Sequence, residues 1–329
     1  MTHEPRPVHG HHHHDHDHGG SIRSALREVF APHSHDASDS IDDALEASAV
    51  GIRAVKISLA ALGVTALAQV VIVALSGSVA LLADTVHNFS DALTAIPLWV
   101  AFVLGRRAAT RRYTYGFGRA EDLAGLFVVA MIALSAVVAG YQSIRRLIDP
   151  VPLDHVGWVA AAGLVGFLGN ELVALYRIRV GRRIGSAALV ADGLHARTDG
   201  FTSLAVVLGA AGVALGYPLA DPIIGILITI AILVVLRSAV RDVFGRLLDG
   251  VDPDLVDAAE AALAAEPGVR AVRSVKMRWI GHRLHADAEL DIDPAVSLVE
   301  AHRIAHEAEH TLTHAVPKLA TALIHAYPA

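Results

Sequence analysis

Two stretches of this chain carry nearly the same arrangement of acids and imidazoles. Gly77–Thr94 reads GSVALLADTVHNFSDALT and Gly185–Thr202 reads GSAALVADGLHARTDGFT, and both contain A-D-x-x-H-x-x-[ST]-D. On a helix of about 3.6 residues per turn, Asp84, His87 and Asp91 share one face, as do Asp192, His195 and Asp199. Each stretch lies in an apolar run long enough to cross a bilayer, where ionisable side chains are costly and mark function. One imidazole and one carboxylate from each helix, His87 and Asp91 with His195 and Asp199, can close a four-ligand cage around a divalent cation. A single His or Asp in such a helix is explained more simply as a helix–helix contact of about 0.6 kcal/mol. Two matching faces are poorly explained that way. Arg197 is the one base near these groups in either span, and two residues from Asp199 it faces elsewhere.

Composition sets the elements that must hold these groups. Hydrophobic residues make up 53% of the chain and charged residues 18%, and the mean hydropathy is +0.48, values of a membrane protein rather than a soluble enzyme. There is no cysteine, which excludes thiolate metal sites and disulfides. The net charge of -6 counts 20 histidines as neutral. The first forty residues lack the apolar core of a signal peptide. Residues 1–45 read as a disordered cytoplasmic tail, with HGHHHHDHDHGG from His9 to Gly20 and too little apolar surface to offset chain entropy. Its histidines suit weak metal binding, with an affinity tag or an inert linker as alternatives.

A span needs about 20 apolar residues, and residues 46–244 hold six candidates, over 55–76, 79–104, 120–144, 156–176, 185–214 and 221–240. Arg106, Arg107, Arg111, Arg112 and Arg119 follow the second, Arg177, Arg179, Arg182 and Arg183 the fourth, and Arg237, Arg241 and Arg246 close the sixth. Arg145 and Arg146 after the third run against this bias, but the balance puts both termini in the cytoplasm. The second and fifth spans are then antiparallel and present their four ligands at one depth. Asp84 falls about one turn outward of the cage and Asp192 about one turn inward, roughly 5.4 Å each, as stepping stones for an ion.

Two imidazoles and two carboxylates in a tetrahedral cage suit Zn²⁺. Affinity alone admits Co²⁺, Ni²⁺ or Fe²⁺, whereas Mn²⁺ prefers oxygen-only sites. The carboxylates neutralise the ion, and the imidazoles must lose their protons to bind it, so protons compete with metal near neutral pH. No Walker motif is present, which makes a proton gradient a better energy source than ATP.

From Gly245 the text turns polar. Helices are expected over Pro253–Glu266 and Leu298–Thr313, and strands over Val269–Arg278, His282–Asp291 and Leu319–Tyr327, an αββαβ order with helices on one face of a sheet. Alternation buries Leu284, Ala286, Ala288 and Leu290 and turns His285, Asp287 and Glu289 outward. The second helix carries His302, His306, His310 and His314 at four-residue steps, for which a solvated polar stripe is the plainer reading at the last three.

With its two H-x-x-x-D pairs, six spans, the Tyr115–Glu121 run YGFGRAE and a cytoplasmic tail, the chain from about Ala54 onward resembles the cation diffusion facilitators, the zinc transporter or cation-efflux family. The resemblance implies an all-α six-helix transmembrane bundle, with residues 245–329 forming a cytoplasmic α+β domain, ferredoxin-like, that dimerises and regulates. It further implies a homodimer that exports metal in exchange for protons, with His87, Asp91, His195 and Asp199 as the transport site, and the apolar, Ala-rich text suggests a bacterial inner membrane. Zn²⁺ is then the transported substrate and a candidate regulator, with Cd²⁺, Co²⁺, Fe²⁺ or Mn²⁺ as alternatives. Asp287, His302 and His325 are the residues matching a regulatory site, although Arg273 and Tyr327 stand where further ligands are expected. Some relatives also bind metal through Asp and His in the loop after the second span. Residues 106–118 hold neither, and their arginines suit lipid headgroups.

A metalloenzyme would need an open coordination position and a base such as H-E-x-x-H supplies, and none is present. Nucleic-acid binding is not supported, because the basic residues sit at membrane edges. A membrane metal sensor that does not transport would use the same ligands, so flux separates the two readings.

Overall fold

The computed structural model describes residues 35–76, 95–149, 156–217 and 219–329, with side chains from residue 45 onward. Among the described residues, the helices α1 (His35–Ser76), α2 (Ala95–Gly105), α3 (Arg119–Ile148), α4 (Val156–Ile184), α5 (Ala187–Ala214) and α6 (Ala220–Leu247) precede a small sheet domain. Helix α1 is continuous through residue 45 within the described residues. The His9–Gly20 run and the whole repeat 77–94 lie outside the described residues.

Four of these helices contain spans long and apolar enough to cross a membrane: Leu45–Leu75, Arg119–Ile148, Val156–Ile184 and Ala220–Leu247. The expected second span is described only by the short apolar helix α2. Helix α5 has the length, but Asp192, Arg197 and Asp199 load its first half with charge. Large apolar side chains such as Val137, Leu172, Leu227 and Val234 are 60% or more exposed on α3, α4 and α6. That outer surface needs hydrocarbon rather than water around it.

Small residues bring the helices together. A Cβ on Gly193 of α5 would lie 2.7 Å from the Ile178 side chain and 3.0 Å from Arg177 Cβ of α4, and one on Gly181 of α4 would lie 2.8 Å from Val190. Glycine at both positions lets the two backbones approach. On the other side of α5, Ala191 joins Val128, Ile132 and Ala136 of α3 and Ile232, Ala239 and Val243 of α6 in one core. Leu98 and Phe102 of α2 pack with Ala188 and Leu189 in the first turn of α5 and with Ala54 and Val55 of α1. The end of the second apolar run thus meets the start of the fifth.

The C-terminal domain has the expected αββαβ order: α7 (Pro253–Ala264), β1 (Val269–Ile280), β2 (Arg283–Ile292), α8 (Leu298–Ala315) and β3 (Leu319–Pro328). Sequence signals explain the helix starts. Asp252 accepts from the Asp254 amide with Pro253 in the first turn, and Ser297 accepts from the Glu300 amide, an S-x-x-E start. The sheet order is β1-β2-β3, with β1/β2 antiparallel and β2/β3 parallel, the latter joined through α8. Gly281 at φ 62° makes the tight Gly281–His282 turn between β1 and β2. Leu284, Ala286, Ala288 and Leu290 are buried as the alternation requires, against Ala259 and Leu263 of α7 and Ala308 and Leu312 of α8.

Candidate functional site

Helix α5 begins with a residue built for a helix start. Ser186 Oγ accepts from the Leu189 amide at 3.0 Å, after Gly185 has turned the chain at φ 81°. Eight residues on from Ala187 comes His195, 1% exposed, and one turn further Asp199, 6% exposed. His195 Nδ1 lies 3.8 Å from Asp199 Oδ1, so the imidazole and carboxylate share a face as the four-residue spacing requires. Thr198 and Thr202 donate their hydroxyl protons to the His195 and Asp199 carbonyls, each at 2.7 Å, which keeps those hydroxyls on the backbone. Arg197 faces away, as expected, and forms a two-pronged pair with Glu171 of α4 at 2.8 and 3.2 Å.

Asp192 corrects one expectation. Its carboxylate is completely buried, with Oδ2 2.9 Å from Nη1 of the equally buried Arg177 of α4. A carboxylate locked to an interior guanidinium is no stepping stone for an ion, and Arg177 is more than a marker of topology. His87, Asp91 and Asp84 lie outside the described residues, so the half of the cage from the second span has no described geometry.

Asp199 borders a cavity of 470 Å³ between α3, α5 and α6, lined also by Ser135, Gln142, Ser143 and Thr202. At its other end Arg146 of α3 pairs with Asp221 at the start of α6, at 2.9 Å. The cavity therefore joins one helix end to the Asp199 carboxylate through a partly polar passage.

The three C-terminal candidates do not converge within one chain. Asp287 on β2 points to the open face of the sheet, and His325 on β3 shares that face, whereas α8, which carries His302, packs on the other. On the open face Arg273 stacks over Tyr327 at 4.6 Å and pairs with Asp291 at 2.7 Å, and His325 lies 4.6 Å from the Tyr327 ring. Among the described residues no group of three His, Asp or Glu side chains could hold a metal ion.

A junction missed in the sequence ties the bundle to the sheet domain. Buried Glu121, in the first turn of α3, holds His282 Nδ1 at 2.8 Å, and Arg246 of α6 donates to the Gly281 carbonyl at 3.0 Å while stacking over Trp279 at 4.4 Å. Arg119 pairs with Asp249 at 2.9 Å, and Lys318 donates to the Arg182 carbonyl at 3.2 Å. The YGFGRAE run contains both Arg119 and Glu121 and was the available signal, but nothing local in it points to a partner 161 residues away. Beside this junction lies a second cavity, of 710 Å³, lined by Arg182, Ser186, Arg241, Arg246 and Lys318 among others.

Comparison with known proteins matches this architecture in two parts. Residues 55–248 match the model of the cation efflux transmembrane domain and residues 251–329 that of the cation efflux protein cytoplasmic domain. A probable cation efflux system protein of Mycobacterium tuberculosis is 75% identical over 308 residues, covering 94% of this chain and 93% of its own. The cation-efflux pump FieF of Serratia proteamaculans is 29% identical (82% and 92% covered), and the manganese efflux system protein MneS of Bacillus subtilis 24% (78% and 88%). A solved C-terminal domain of MamM is 21% identical, covering 23% of this chain and 98% of its own, with a TM-score of 0.23.

Proposed function

The chain belongs to the cation efflux family of integral membrane transporters, and we propose that it exports Zn²⁺ from the cytosol in exchange for protons. The observation that carries this reading is the buried His195–Asp199 pair, facing inward within a bilayer-length bundle next to a partly polar cavity. The same pair recurs in the sequence as His87 and Asp91. The four side chains would hold one Zn²⁺ in place of its water shell, with Asp91 and Asp199 supplying the compensating charge. His87 and His195 bind only when deprotonated, so protons arriving from the far side displace the ion. In this reading both termini are cytoplasmic, the membrane is the bacterial inner membrane, the Arg146–Asp221 end of the cavity faces outward, and two chains work as a homodimer through their C-terminal domains. Asp287, His302 and His325 would serve regulation only if more than one chain contributes.

Manganese is the second reading, because one relative is named for manganese efflux. The imidazole on each helix favours zinc, since Mn²⁺ is better matched by oxygen ligands alone. Zinc and manganese uptake into proteoliposomes, with and without an imposed pH gradient, tests the proposal against the Asp199→Ala variant. Zinc flux that follows the gradient and vanishes in the variant is the expected result. Zinc binding without flux in either condition would leave a metal sensor in place of a transporter.

A further inference from the structure

Helix α8 shows the sheet one side and solvent the other. Ile304, Ala308 and Leu312 face the core, and His302, His306, His310 and His314 are all exposed. The last two differ from the rest of this stripe. Their Nε2 atoms converge to 3.3 Å, with ring centroids 4.5 Å apart and planes inclined at 67°. By contrast, His306 turns its Nδ1 toward Glu309, at 3.6 Å.

We propose that His310 and His314 form a two-histidine site for Zn²⁺ or a metal of the same class, distinct from the transport cage and from Asp287, His302 and His325. With Zn–N bonds of about 2.05 Å, two nitrogens on a tetrahedral ion stand about 3.3 Å apart, whereas a right-angled site brings them to about 2.9 Å. The observed separation therefore matches a tetrahedral edge. Imidazole nitrogens select borderline transition metals over Ca²⁺ and Mg²⁺, which require oxygen. Solvent water completes the coordination at this exposed position. The site lies four residues before Lys318, whose amine contacts Arg182 at the rim of the junction cavity. It is thus placed to collect metal next to the bundle, and it stands whether or not the chain transports zinc.

A hydrogen bond from one ring to the other would give the same spacing without any metal, so the test must resolve each histidine. Diethyl pyrocarbonate modification of the purified full-length protein in detergent, followed by mass spectrometry over a zinc titration, does this despite the His-rich residues 9–18. At free zinc about ten times the half-saturating concentration, modification of His310 and His314 is expected to slow about tenfold, together, with His306 unchanged. His314→Gln is expected to abolish the protection of His310, and magnesium is expected to protect neither. Unprotected His310 and His314, or equal protection along the stripe including His306, overturns the proposal. So does protection of His310 that survives His314→Gln.

Discussion

Helices α5 and α8 both carry histidines with a partner four residues on, yet they place them in opposite surroundings. On α5 the His195–Asp199 pair is buried among packed helices. On α8 the His310–His314 pair lies on the exposed face of the helix. Spacing alone makes a chelate on either helix, but surroundings decide its use. A buried cage must neutralise an ion that has lost its water, which is why carboxylates accompany the imidazoles on α5. An exposed pair needs no such charge, because solvent supplies the remaining ligands.

The widest separation between the two is expected in transport. Asp199→Asn should abolish zinc flux in proteoliposomes while leaving the protein folded, and His314→Gln should leave that flux unchanged. Loss of flux in both variants would mean that the exposed pair belongs to the transport path. Next in size is the cost of burial. Arg177→Leu should destabilise the protein by roughly 3–5 kcal/mol, because it leaves the Asp192 carboxylate buried and unpaired, and Arg177→Leu with Asp192→Leu should restore most of the loss. Thermal unfolding in detergent reads both, and equal destabilisation by the single and double variants would show that the ion pair is not the cause. At the junction, Glu121→Gln weakens the hydrogen bond to His282 and should cost about 1–3 kcal/mol. Faster proteolysis of the Leu248–Val251 connection is the readout.

A smaller effect comes from pH. Burial, reinforced by Arg283 and Arg278, holds the His285 imidazole below its ordinary value, so the folded state resists protonating it. Stability is then fully present above about pH 6.5 and declines as pH falls below it, because the unfolded chain takes up the proton first. His285→Gln should flatten that part of the unfolding profile. Least of all, His310→Gln on the open face of α8 should change stability by no more than about 0.5 kcal/mol.

Local patterns were readable in the sequence, and pairings between distant elements were not. The shared face of His195 and Asp199 and the alternation along β2 depend on neighbours within a few residues, and both are found where periodicity puts them. The direction of Arg197, away from Asp199, also followed from helix geometry. Arg177–Asp192 and Glu121–His282 depend instead on how separate helices and a hairpin turn register against one another, and single-sequence periodicity carries no such information. Asp192 therefore read as a way-station when it is half of an ion pair.

The glycines between α4 and α5 bear on how the bundle moves. With Gly193 and Gly181 leaving no room for even a methyl group, and with Arg177–Asp192 and Glu171–Arg197 bridging the same two helices, neither helix can roll or slide against the other without collision. In the proposed transport cycle, the change that opens His195 and Asp199 first to one side of the membrane and then to the other is expected to carry both helices as a single rigid body. Shear is left to the contacts of this body with α3 and α6, where the cavity beside Asp199 already loosens the packing.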